Sequence, residues 1–98
     1  MHASICTACA VMFGLTADQF FQDARGQHTD IRDARFVAMA LLRRDGSSYP
    51  VIAQTLGLWN HTSAMHGVRR VECNERLQAL ADAVWRWFVD SCEERKAA

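Results

Sequence analysis

Apolar residues recur along most of the chain at the three- to four-residue spacing of amphipathic helices, and strand-like alternation is scarce. The clearest stretch begins at Ile31, where apolar side chains repeat at i, i+3 and i+4 as far as Leu42. Five glycines and one proline divide the chain into helical segments. The pattern predicts an all-α fold, a compact bundle of about six helices in one domain spanning residues 1–98, because so short a chain buries one core.

The first two helices are predicted to be short. The first runs from about Ala3 to Phe13 and stops at Gly14. The second is capped by Thr16, with Gln19 at the capping-box position. The side chains expected in the core from this part of the chain are Ile5, Cys6, Cys9, Val11, Phe13, Phe20 and Phe21.

The third helix is predicted as the spine of the core. Residues 22–29 are polar and predict a loop, after which Asp30 is expected to be the N-cap. Arg43 and Arg44 lie in the last turn, where the helix dipole favours cations, and Gly46 ends the helix.

The fourth and sixth helices follow from similar signals. Ser47 or Ser48 caps the fourth helix, which ends at Gly57 and directs Val51, Ile52, Ala53 and Leu56 inward. The sixth helix is long, from about Asn74 to Arg95. Its apolar stripe is Leu77, Leu80, Ala81, Val84, Trp85, Phe88 and Cys92.

Between them, a fifth helix is predicted from Asn60 to Val71, separated from the fourth by a three-residue turn, residues 58–60. Two short helices joined in this way form the helix-turn-helix pattern, whose second helix enters the major groove of DNA. The inward side of the fifth helix is predicted to carry Ala64, Met65, Val68 and Val71. The outward side carries His61, Thr62, Ser63, His66, Arg69 and Arg70.

These outward groups can donate to or accept from base edges and phosphates, and the stretch from residue 59 to 71 contains no Glu or Lys, which ordinary solvent-exposed helix faces favour. The alternative is a solvated face with no ligand. Charge is compatible with either reading, because the formal net charge is zero but residues 25–71 carry seven arginines against three aspartates.

Other classes of function are not indicated. The four cysteines, Cys6, Cys9, Cys73 and Cys92, are expected to be reduced, without disulfides, and the CxxC of Cys6 and Cys9 lacks the second pair of a zinc site. We expect no metal, no cofactor, no small-molecule substrate and no enzymatic activity. We also expect no membrane association and a cytoplasmic location, since no apolar run is long enough to cross a bilayer.

The stretch LGLWNHTSAMHGVRRV, residues 56–71, resembles the signature FGGRDHTTVLHACRKI of the C-terminal DNA-binding domain of the bacterial replication initiator DnaA. ARFVAMALL, residues 34–42, is similar to the family's PRQMAMAL segment, and residues 5–21 are similar to its first two helices. The resemblance implies a fold of the Trp-repressor-like helix-turn-helix superfamily and binding to short duplex boxes.

The residues and the resemblance together predict two sets of DNA contacts, with double-stranded DNA as the partner, and those carried over by position are His61, Thr62, Ser63, His66, Arg35 and Arg70. The residues expected to face bases are Asn60, His61, Thr62, Ser63 and His66. The residues expected to face phosphates or the minor groove are Arg25, Arg32, Arg35, Ser48, Arg69 and Arg70. His28 lies in the same depleted basic loop as Arg25.

The chain departs from the family where Trp59 and Asn60 replace Arg-Asp, so we expect a target that differs from the family's box. Trp59 either packs on a sugar or closes the turn. The 98 residues contain no GxxxxGK[ST] motif, and we therefore expect a stand-alone transcriptional regulator of a phage, a mobile element or a bacterium. The alternative is a protein-interaction module that lost DNA affinity, with Trp87, if it is not in the core, as an anchor for a homodimer or another partner.

Overall fold

The computed structural model describes the backbone of residues 2–21, 29–58 and 60–97, and within these ranges the side chains of residues 5–16, 18–21 and 30–90. The described residues form helices joined by short turns and include no strand. The helices are α1 (His2–Met12), α2 (Ala17–Phe21), α3 (Thr29–Arg44), α4 (Tyr49–Leu56), α5 (His61–Glu72) and α6 (Glu75–Ala97). The all-α prediction is confirmed.

Side-chain caps set where several helices begin. The capping box before α2 is formed as predicted: Gln19 N–H donates to Thr16 Oγ1 at 3.2 Å, and Thr16 N–H donates to Gln19 Oε1 at 2.9 Å. The N-cap prediction for Asp30 is wrong, because α3 already includes Thr29. Asp30 lies instead in the first turn, where its carboxylate interacts favourably with the positive end of the helix dipole.

Helix α3 is the centre of the core, and α1, α4, α5 and α6 all pack against it. Its buried apolar side chains are Ile31, Ala34, Val37, Ala38, Met39, Leu41 and Leu42. This confirms α3 as the spine. The burial of a continuous apolar stripe is also the main source of its stability, since isolated helices of this length are marginal in water.

Three apolar side chains of α1, α2 and α4 that were predicted to face the core are exposed instead, namely Val11, Phe21 and Val51. Each is displaced around its helix from a buried neighbour. Val11 follows the buried Cys9 by two residues, or about 200°. Phe21 is one residue beyond the buried Phe20 and contacts that ring edge to face, with centroids 5.0 Å apart.

Helix α6 packs against α1, α3 and α5. Asn74 caps it through Oδ1, which accepts from Leu77 N–H at 3.0 Å. Its stripe is largely as predicted: Leu77, Ala81, Val84 and Phe88 are buried, whereas Leu80 and Trp85 are half-buried. The predicted stripe member Cys92 lies outside the described side chains.

The cysteines of α1 are part of the core. Cys6 and Cys9 are buried free thiols, whereas Cys73 is a free thiol at the surface. Burial raises the pKa of Cys6 to about 11, against a smaller lowering by the charge of Arg35. Burial also raises the pKa of Cys9, and the neighbouring Cys6 adds to that rise. Among the described residues, no helix is both long and apolar enough to span a membrane.

Candidate nucleic-acid interface

The turn between α4 and α5 is built by two caps. Helix α4 ends at Gly57, which has φ +67° and ψ +33°, a left-handed conformation in which a Cβ is unfavourable. Leu58 N–H then donates to Ala53 O at 2.8 Å and closes the last turn. Helix α5 begins at Asn60, whose Oδ1 accepts from Ser63 N–H at 3.2 Å. The predicted cap at Asn60 is confirmed, and Trp59 lies outside the described residues.

Helix α5 is strongly two-faced. Its buried residues are Ala64, Gly67, Val68 and Val71, at i, i+3, i+4 and i+7. The prediction for Met65 is wrong: it is 38% exposed and lies at the edge of the outward side. Its predicted place in the seam is taken by Gly67, which sequence analysis did not select.

The outward side of α5 is available to a ligand. Five of its polar side chains are exposed and the sixth, Ser63, is half-buried; the exposed ones are His61, Thr62, His66, Arg69 and Arg70. In this chain the surface that would face a groove is therefore not covered by α6. The cap at Asn60 uses one acceptor position of Oδ1, and an amide oxygen has two lone pairs, so capping and a contact to a base are compatible.

A close approach between α5 and α3 fixes the depth at which α5 sits. A Cβ built at Gly67 would collide with Met39 Sδ and lie 3.2 Å from Phe36 Cδ1. Only glycine leaves room for these two side chains. A glycine inside a helix normally costs about 1 kcal/mol relative to alanine, so this packing offsets a local penalty. The sequence signal that could have indicated this contact is a glycine inside a helix seam.

Phe36 also supports the imidazole of His66. The two rings meet edge to face, with centroids 6.5 Å apart and planes at 73°. Because Phe36 is half-buried in α3 and His66 is exposed on α5, the contact holds the imidazole from behind and leaves its outer edge toward solvent. Phe36 was also missed from the sequence.

Arg35 has a different role from the predicted phosphate or groove contact. Its side chain is 8% exposed, and its guanidinium donates from Nη1 to Phe20 O at 2.9 Å and from Nη2 to Leu56 O at 2.8 Å. These carbonyls lie at the ends of α2 and α4, where the backbone has no helical partner. Arg35 therefore ties α2, α3 and α4 together just before the turn, and we remove it from the DNA-contact set.

The other predicted backbone contacts divide into two groups. Arg32, Ser48, Arg69 and Arg70 are at the surface, and Ser48 also caps α4 by accepting from Val51 N–H at 3.4 Å. Of the two serines predicted as possible N-caps of α4, Ser48 is therefore the cap, whereas Ser47 is buried. Arg25 and His28 lie outside the described residues.

Arg43 and Arg44, in the last turn of α3, are used within the bundle. The Arg43 guanidinium lies 4.3 Å from the centre of the Tyr49 ring and donates to Ser47 O at 3.2 Å. Arg44 pairs with Asp82 on α6 at 3.0 Å and lies over the Trp85 ring. Arg43 thus contacts the start of α4 and Arg44 contacts α6, so neither set of contacts involves the outward side of α5.

This chain matches a known protein family. A family model described as the bacterial DnaA protein helix-turn-helix matches residues 2–71, which is most of the chain and includes α1 through nearly all of α5. Helix α6 lies beyond the matched residues. No curated protein has a significant match to this chain.

Proposed function

The chain belongs to the family of bacterial DnaA helix-turn-helix domains, and from this premise we propose that it reads a specific duplex DNA sequence through the outward side of α5. The observation that carries the proposal is the exposure of Thr62 and His66 at the start of that helix. Recognition helices meet base edges with their N-terminal turns, and hydroxyl and imidazole groups both donate and accept there.

In this proposal the contacts fall into two classes. Asn60, His61, Thr62, Ser63 and His66 face bases. Arg32, Ser48, Arg69 and Arg70 face the phosphate backbone, and Arg25, which lies outside the described residues, is assigned to the minor groove. The exposed positions of Arg69 and Arg70 near the end of α5 support this division, because that end of a recognition helix leaves the groove.

We further propose that the biological role is regulation of transcription in a phage, a mobile element or a bacterium, with the protein acting in the cytoplasm. Asn60 supports a target different from the family's box, because its amide pairs with the N6 and N7 positions of adenine, which a carboxylate does not match. Duplexes selected from a random pool would supply the target for the tests that follow.

The first experiment measures duplex binding of four chains across a salt series: wild type, Thr62→Ala, Arg70→Ala and Thr7→Ala. Thr7 is exposed on α1 and serves as the matched control for Thr62. Thr62→Ala should cost roughly 1–3 kcal/mol on the selected site and little on random DNA. Arg70→Ala should weaken both alike and reduce the salt slope by about one phosphate, or ~0.9 in log-log units.

The result that contradicts the proposal is equal weakening of selected and random duplexes by Thr62→Ala, or salt-independent binding by the wild type. The competing function is a protein-interaction module. One observation favours it: Trp87 on α6 is 43% exposed and so is not in the core. Trp87→Ala distinguishes the two, since it should leave duplex affinity unchanged but abolish binding to a protein partner or a second copy.

A further inference from the structure

A groove of about 480 Å³ lies between α3 and α5, beside the proposed base-reading residues. Its wall is apolar and is formed by Phe36, Met39 and Leu58. Cavities of this size with apolar walls and a few polar groups are typical of sites for small ligands. The groove is too small for a partner helix but has room for a molecule of one or two rings.

The charge around this groove is positive. Arg32 lies at the exposed rim, and the buried guanidinium of Arg35 lies behind it. Among the described residues that line the groove, none is Asp or Glu. A ligand that matches the lining therefore has an apolar body for the wall and a negative group for the rim.

We propose that the groove binds a small anion with a flat apolar body, of the aromatic carboxylate class. The carboxylate pairs with Arg32, and the ring system packs against Phe36 and Leu58. A DNA backbone matches this site less well, since a sugar-phosphate chain has no large apolar body to cover Phe36 and Met39. Occupation of the groove by duplex DNA is therefore the competing result that the test must distinguish.

The ligand would regulate DNA binding, which is the part of the proposal that depends on the proposed function. Thr62 and His66 contribute both to the lining of the groove and to the outward side of α5. A molecule seated there occupies space next to the groups that would meet bases. Ligand and duplex should therefore compete, and by linkage each should weaken the other's binding by the same factor.

The probe is 2-naphthoate, with 2-naphthamide as a neutral analogue of nearly the same shape. Both are titrated into the full 98-residue chain and followed by amide chemical shifts. Naphthoate should bind with a Kd on the order of 1 mM, the affinity expected for a ligand of about 13 heavy atoms at ordinary efficiency. The shifts should map to α3 and α5 around Phe36 and Thr62, and naphthamide should bind about fivefold more weakly.

Three variants locate the site. Arg32→Gln should weaken naphthoate binding about fivefold and leave naphthamide unchanged, because only the carboxylate pairs with the guanidinium. Phe36→Leu should weaken both probes. Arg86→Gln, which removes an exposed arginine of α6 away from the groove, should change neither. Far-ultraviolet circular dichroism of each variant shows that the helices remain folded.

The competition is then measured with a fluorescent duplex. Naphthoate should lower duplex affinity of the wild type and naphthamide should do so less. Absence of saturable naphthoate binding, equal affinity of the two probes, or shifts outside the groove would overturn the ligand site while leaving DNA recognition intact. Shifts of the same groove amides by duplex, together with no naphthoate binding, would assign the groove to DNA. Naphthoate binding without any duplex binding would refute the proposed function alone.

Discussion

Replacing Arg35 by lysine separates the two roles that this residue was given. A phosphate contact survives the change in large part, because a lysine keeps the positive charge. The tether seen in the structure does not survive it. The guanidinium spans two carbonyls, Phe20 O at 2.9 Å and Leu56 O at 2.8 Å, and an ammonium on a flexible chain cannot reproduce this planar fork.

The expected loss follows from these two bonds. A hydrogen bond to a charged group contributes about 1.5–3 kcal/mol. If lysine retains one of the two, Arg35→Lys should lower the free energy of unfolding by about 2 kcal/mol. For a domain of this size that corresponds to a fall in Tm of about 10 °C. Urea unfolding followed by circular dichroism measures the first quantity, and a thermal scan measures the second.

Arg69→Lys is the matched control, because Arg69 is an exposed arginine of α5 and the same change there should stay within about 0.5 kcal/mol. The reasoning is refuted if Arg35→Lys unfolds at the wild-type urea concentration. Wild-type stability together with nearly unchanged duplex affinity and salt slope is the result that a phosphate contact predicts, because lysine keeps the charge.

Two further predictions concern stability. Gly67→Ala should destabilise the fold by up to about 2 kcal/mol in a thermal scan, because the collision of the new Cβ with Met39, about 1–3 kcal/mol, is partly offset by the gain of about 1 kcal/mol in helix propensity. The same change should cost less in a Met39→Ala background, where the colliding atom is absent, and an equal cost in both backgrounds would contradict the close approach. The raised pKa values of Cys6 and Cys9 predict that stability is unaffected below the usual thiol value of 9.0 and falls as pH rises from there toward about 11, because the unfolded chain loses those protons first. Cys9→Ala should flatten this fall in urea titrations, and identical pH profiles for variant and wild type would exclude thiol burial as the cause.

Sequence patterns were sufficient for what depends on neighbours along the chain. The caps at Thr16 and Asn60 use groups three residues away, and both were predicted, although the same kind of signal placed the start of α3 one residue too late at Asp30. Arg35 was not, since its two acceptors are 15 and 21 residues distant and become adjacent only when α2 and α4 end beside α3. A long polar side chain on a helix is usually solvated, and nothing local indicates otherwise.

The wrong prediction that Met65 rather than Gly67 lies in the seam of α5 has a similar origin. Both positions flank a seam formed by Ala64, Val68 and Val71, and hydrophobicity alone selects methionine over glycine. The structure selects glycine because α3 approaches that side of α5 so closely that Met39 fills the space a side chain would need. Composition of one helix does not encode the distance to the next one.

The geometry of α5 therefore depends on what holds α3, and within the part of the chain that the structure describes α6 is joined to α3 by two ion pairs of unequal strength. Arg44 and Asp82 are both exposed, at 43% and 66%, so their pair contributes little in water. Asp33 is 7% exposed and pairs with Arg76 at 2.7 Å, so removing Arg76 would leave a buried carboxylate without that partner. Arg76 is in α6, beyond the residues that the family model matches. A helix outside the matched region therefore neutralises the charge of Asp33 on α3, the helix against which α5 packs.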